Sequence, residues 1–176
     1  MADTSVISQL SPEMMKNLVE ICEVFWVPTL IVGYLIGVVL FGAGLFTIAH
    51  GEKKMAGVVA LVIASFLLNL KGFMNMVSMS VFATEAPDSI HYTPPAGNNA
   101  LLVQLCITGV RLFGIIVLIR SLLYFKDYAN QQEPQLLYRA FSFFFGSLLC
   151  INIVQFLSYL GSWIGGDITS IVEQLL

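Results

Sequence analysis

The residues best placed to do chemistry are cations and amides set inside apolar runs. Lys71, Asn75 and Ser78 recur at i, i+4, i+7; Gln104, Thr108 and Arg111 keep the same spacing; Asn152, Gln155 and Tyr159 follow i, i+3, i+7. On a helix each set forms one stripe. Stripes of this kind bind water, lipid phosphate or another anion rather than perform acid–base work, because no Asp or Glu occurs in the same apolar runs. Lys71 lies 11 residues before Phe82 and Arg111 lies 11 residues after Ala100. Straight helices rising about 1.5 Å per residue therefore place both roughly 16 Å from one end. Asn152, 12 residues before Ile164, falls about 18 Å from that end. The expectation is one polar layer holding a pair of buried cations, with Lys71, Arg111, Asn75, Gln104, Thr108, Asn152 and Gln155 facing lipid phosphate or a hydrated lumen. A charge at mid-bilayer costs about 3 kcal/mol on insertion scales, so compensation from outside the subunit is expected.

Other chemistry finds no support in the sequence. His50 and His91 are isolated, and Cys22, Cys106 and Cys150 form neither a disulfide framework nor a metal motif. Gly42-Ala43-Gly44 sits within an apolar run and lacks the strand–loop–helix setting of a phosphate loop. No nucleophile has a base at local spacing, and paired acids are missing from the runs. The chain is expected to be no enzyme, with no catalytic residue, no metal and no cofactor; a bound phospholipid is the candidate ligand.

The elements that position these stripes follow from composition and periodicity. Of the 176 residues 57% are hydrophobic and only 11% charged, with a mean hydropathy of +0.85, which excludes a soluble globular domain. A net charge of -3 argues against a nucleic-acid-binding surface. Four apolar segments, 24–49, 55–83, 100–125 and 140–164, each exceed the roughly 20 residues that cross a hydrocarbon core as a helix. Helices are required because backbone groups in lipid must be satisfied internally. The fold class expected is all-α: four membrane-type helices as two tandem hairpins in a single domain, 1–176, with amphipathic helices at both termini (11–23 and 167–176).

Connections set the expected orientation. His50-Gly51-Glu52-Lys53-Lys54 and the segment from Lys126 to Arg139 are basic, whereas Thr84 to Asn99 carries Glu85 and Asp88 and no Lys or Arg. The positive-inside rule then gives cytoplasmic basic turns with both termini outside. Ser11-Pro12-Glu13 reads as a helix start rather than as part of a secretory signal. Gly33 and Gly37 form one GxxxG pair and Gly161 and Gly165 another, which let helix backbones approach closely; packing within the chain is the favoured use. Phe66-Leu67-Leu68-Asn69-Leu70 is faintly echoed by Ser147-Leu148-Leu149-Cys150-Ile151-Asn152.

The first basic turn, the span–turn–span plan and the segment FLLNLKGFMN (Phe66 to Asn75) resemble the TraQ proteins of IncI-type conjugative plasmids. Those proteins are related to the DotE (IcmC) and DotV membrane proteins of type IVB secretion systems. The resemblance covers most of the chain and rests on overall pattern. It implies a component of a cell-envelope machine that moves DNA or protein between cells, placed in a bacterial inner membrane, and it brings no catalytic residues. Conjugative pilins of the other secretion class are hairpins of apolar helices with a basic cytoplasmic loop, which polymerise with lipid headgroups lining the lumen. This chain is similar in its basic turns and its cations within the spans, and departs in length, in its four spans and in the expected lack of a cleaved leader. The expected function is a homo-oligomeric structural subunit, pilus-like or channel-wall, and extracellular if assembled into a pilus. Its expected partners are itself, phospholipid and other secretion-system membrane proteins, with transported DNA only in transit. The rival expectation is an inner-membrane scaffold that bridges other secretion components.

Overall fold

The computed structural model of the protein describes residues 12–51, 54–87, 92–93 and 100–164. Six helices account for its regular structure: α1 Pro12–His50, α2 Lys54–Leu68, α3 Leu70–Phe82, α4 Ala100–Gln131, α5 Pro134–Ile151 and α6 Ile153–Ile164. The all-α class holds. Three helices (α1, α4 and α5) are long and apolar enough to cross a membrane, and α2 with α3 supplies a fourth segment if the bent pair counts as one. The amphipathic stretch expected at 11–23 is no separate helix; from Pro12 it runs unbroken into α1, through Pro28. Gly165 and the tail 167–176 lie outside the described residues.

Two tight turns make the hairpins. Gly51 ends α1 at φ +81, a left-handed conformation natural to glycine, and its N–H donates to the Thr47 carbonyl at 3.3 Å. The second turn is shorter than the basic segment suggested. α4 runs on to Gln131, Gln132 takes φ 57, and Pro134 opens α5 at the first helical position, where its missing N–H costs nothing.

α1 packs along α2, α4 along α5, and α4 lies against both helices of the first hairpin. Glycines permit these approaches. A Cβ on Gly37 would lie 3.1 Å from the Leu68 amide nitrogen, and one on Gly114 would lie 2.9 Å from Cys150 Cβ and 3.0 Å from the Ile151 nitrogen. Gly33 likewise faces Leu70 and Ile119, and Gly161 is buried. The first GxxxG pair therefore serves contacts within the chain, around a core that includes Leu67, Met74, Ile115, Leu118 and Ile151.

The straight second and fourth spans are corrected by the structure. Asn69 leaves the helical region at φ -122, ψ 50, and α3 departs from α2 at 92°. Asn152 does the same at φ -102, ψ 35 between α5 and α6. At both breaks the asparagine N–H still closes the preceding helix, to Ser65 and Leu148, and its carbonyl opens the next one, accepting from Phe73 and Phe156. Each hairpin is thus a long helix, a turn, a second helix, a one-residue elbow at asparagine and a short helix of 13 or 12 residues. The faint sequence echo coincides with this repeated plan.

Asn69 explains its own elbow. Asparagine is a preferred N-cap because its side-chain oxygen can satisfy an orphan amide of the first turn; here Asn69 Oδ1 accepts from the Gly72 N–H at 3.3 Å. A Cβ on Gly72 would lie 2.5 Å from the capping side chain. Asn-x-x-Gly is therefore the local unit that turns the chain.

Candidate functional site

The polar stripes of the two hairpins are joined between α3 and α6, and α6 also packs on α4. Each helix brings an i, i+3 pair: Asn75 and Ser78 from α3, Thr108 and Arg111 from α4, and, across the second elbow, Asn152 and Gln155. Ser78, Thr108, Arg111 and Asn152 are buried, the guanidinium residue at 6% exposure and Thr108 and Asn152 at 0%. Asn152 Nδ2 donates to Ser78 Oγ at 2.9 Å and to the Leu148 carbonyl at 3.1 Å. One amide thus joins the two hairpins and fixes the elbow it belongs to. A turn further along α6, the Tyr159 hydroxyl donates to the Phe82 carbonyl at 3.1 Å, and the two rings stack at 6.3 Å. The end of α3 is held by α6.

Arg111 meets Tyr92, one of the described residues between α3 and α4. Its guanidinium carbon is 5.7 Å from the centroid of the Tyr92 ring, within range of a cation–π contact whose strength rises as water is removed. Burial pushes the Tyr92 phenol above its ordinary value of 10.0, opposed by the positive charge of Arg111. Tyr92 is a site residue that the stripes do not reveal, since it stands outside every periodic segment.

Four buried oxygens in this layer, Asn75 Oδ1, Thr108 Oγ1, Asn152 Oδ1 and Gln155 Oε1, accept no hydrogen bond from the described residues. Amide and hydroxyl oxygens each carry two lone pairs, so the layer has acceptor capacity for water or for another donor. The chemistry on offer is hydrogen bonding to oxygen. Among the described residues no three His, Cys, Asp or Glu side chains come together as metal ligands do.

Two sequence expectations are corrected here. Arg111, Thr108 and Asn152 are buried within the subunit instead of facing lipid or a lumen. Lys71 does not share their burial. It is exposed in the first turn of α3, beside a cleft of about 300 Å³ whose other wall is Val27, Leu30, Ile31 and Tyr34 of α1. The shared depth of the two cations came from assuming straight helices, and the elbow at Asn69 removes that assumption. Asn75, Gln104 and Gln155 are half-buried; Asn75 and Gln155 join the layer through their buried oxygens.

The sequence signal for the elbows is asparagine within an apolar run, followed at the first elbow by glycine three residues later. Comparison with protein-family models, with curated proteins and with solved structures finds no match.

Proposed function

We propose that this chain is a structural membrane subunit of a conjugative type IVB secretion apparatus, homo-oligomerising as a pilus-like or channel-wall assembly that carries phospholipid. The observation that supports it is the length of exposed apolar surface on α1. Met14 at 53%, Ile21 at 50%, Val24 at 70%, Val39 at 71% and Phe46 at 65% exposure mark a face that runs nearly the whole helix. From Met14 to Phe46 it extends about 48 Å at 1.5 Å per residue, against a hydrocarbon core of about 30 Å. Fitting that face within lipid by tilt alone needs roughly 50°, beyond the usual range of transmembrane helices. Protein must cover the remainder, and a repeating subunit offers the same apolar face for the purpose. Orientation follows the basic turns, with Lys54, Lys126 and Arg139 at the cytoplasmic end of an inner-membrane protein.

Electron microscopy of the purified, detergent-extracted protein tests this reading. Rings or filaments are expected. Monomers that associate only with other envelope proteins refute it and establish the scaffold instead.

A further inference from the structure

Two cavities lie in line along α2, and their order from polar to apolar matches a lipid. At the turn end of the bundle a cavity of about 540 Å³ separates the hairpin tips, lined by Gly51 and Lys54 on one side and by Asn130, Gln131 and Gln132 on the other. One turn further along, a groove of about 430 Å³ opens between α2 and α5, floored by Leu122 and Phe125 of α4. Its walls are Val58, Val62 and Phe66 on α2 and Phe141 and Phe144 on α5; Phe73 of α3 also lines it. Lys54, Val58, Val62 and Phe66 follow at steps of four residues, so one row of side chains leads from the first cavity into the second. On α4, Ala129 of the polar cavity continues the row of Leu122 and Phe125.

We infer that these cavities form one binding site for a glycerophospholipid, with the phosphate at Lys54 and an acyl chain in the groove. An ammonium offers three donors to phosphate oxygens, and the amide side chains of Asn130, Gln131 and Gln132 supply donors and acceptors for a glycerol headgroup. Every residue lining the groove is apolar, which suits an alkyl chain. The direction is also right for a lipid. Charge sits at the bundle end where the hairpin tips meet the aqueous boundary, and the apolar part runs inward.

This inference rests on the bilayer-resident, phospholipid-carrying reading above but not on polymerisation. The experiment is therefore run on solubilised monomers, where failure to assemble and failure to hold lipid are separately visible. Native mass spectrometry with added phosphatidylglycerol or phosphatidylcholine is expected to show one preferentially retained phosphatidylglycerol per chain. Lys54→Gln should lower that preference about fivefold, the effect of one basic residue at an anionic headgroup. Val62→Trp, at a position 47% exposed on the groove wall, should reduce retention of both lipids by at least as much without disturbing the core. Val58→Trp provides a second filling variant. Lys71→Gln, in the first turn of α3 beyond the elbow, should change nothing. The site is refuted if both tryptophan variants retain lipid normally, if Lys71→Gln matches Lys54→Gln, or if glycerol 3-phosphate displaces the lipid as readily as another phospholipid does.

Discussion

Replacing Asn69 by leucine should shift the first elbow toward a straight helix, and the geometry fixes how far the ends would move. Val58 on α2 and Val81 on α3 are both exposed and stand 11 and 12 residues from the elbow. At 1.5 Å per residue the two arms are about 16 and 18 Å. Joined at the observed 92°, they place the labelled positions about 24 Å apart; a continuous helix places them about 34 Å apart. Losing the Asn69 cap costs the bent form about 1 kcal/mol, a roughly fivefold change in the ratio of bent to straight. Packing of Leu70, Phe73, Met74 and Phe82, together with the α6 contacts, keeps the bent form substantially populated. Double electron–electron resonance between spin labels at Val58→Cys and Val81→Cys, in a background lacking Cys22, Cys106 and Cys150, reads both distances in lipid nanodiscs. The parent protein should give the short distance alone, and Asn69→Leu should add the long one. A parent distribution centred near 34 Å would refute the elbow and the placement of Lys71 and α3 that depends on it.

Further outcomes follow from the same contacts. Gly72→Ala should mimic Asn69→Leu in the resonance experiment, because a Cβ there meets the capping side chain at 2.5 Å. Asn152→Ala should lower stability in detergent by about 1–3 kcal/mol in thermal unfolding, since it removes the donor to Ser78 and to the Leu148 carbonyl from a fully buried site. Gly114→Val should cost about 1–3 kcal/mol in the same assay by pressing on Cys150 and Ile151, whereas Gly42→Ala, with nothing within 4 Å, should stay within about 0.5 kcal/mol. Raised by burial, the Tyr92 phenol favours the folded state while it is protonated. That contribution is complete below the ordinary phenol range and falls away as pH rises through the higher folded value; Tyr92→Phe should abolish this alkaline loss in a stability–pH profile.

Much of the architecture was legible because it rests on local rules. Gly51 and Pro134 mark the hairpin turns by conformation alone, and the i, i+3 spacing of Thr108 with Arg111 and of Asn152 with Gln155 correctly assigns each pair to one face. The elbows were not legible in the same way. In lipid an uninterrupted helix is the default, since it satisfies every backbone group, and an asparagine inside an apolar run is compatible with it. Whether the side chain caps a new helix depends on what the new helix packs against, which here is another part of the chain. Asn152 illustrates the point: its amide bonds to Ser78, a partner 74 residues away. Depth estimates for Lys71 failed for that reason, while Ser78 and Asn152 meet because each stays on its helical face whether or not the helices are straight. Tyr92 reaches Arg111 from an aperiodic connection, and no pattern in the sequence announces that.

The crosswise course of α3 also gives the molecule a shape. At 13 residues it adds about 20 Å of helix at one level of the bundle, while the opposite, turn-bearing end carries no such arm among the described residues. A bilayer must therefore accommodate one helix lying nearly at right angles to its neighbour, and the room that arm claims is governed by how firmly a single asparagine holds its bend.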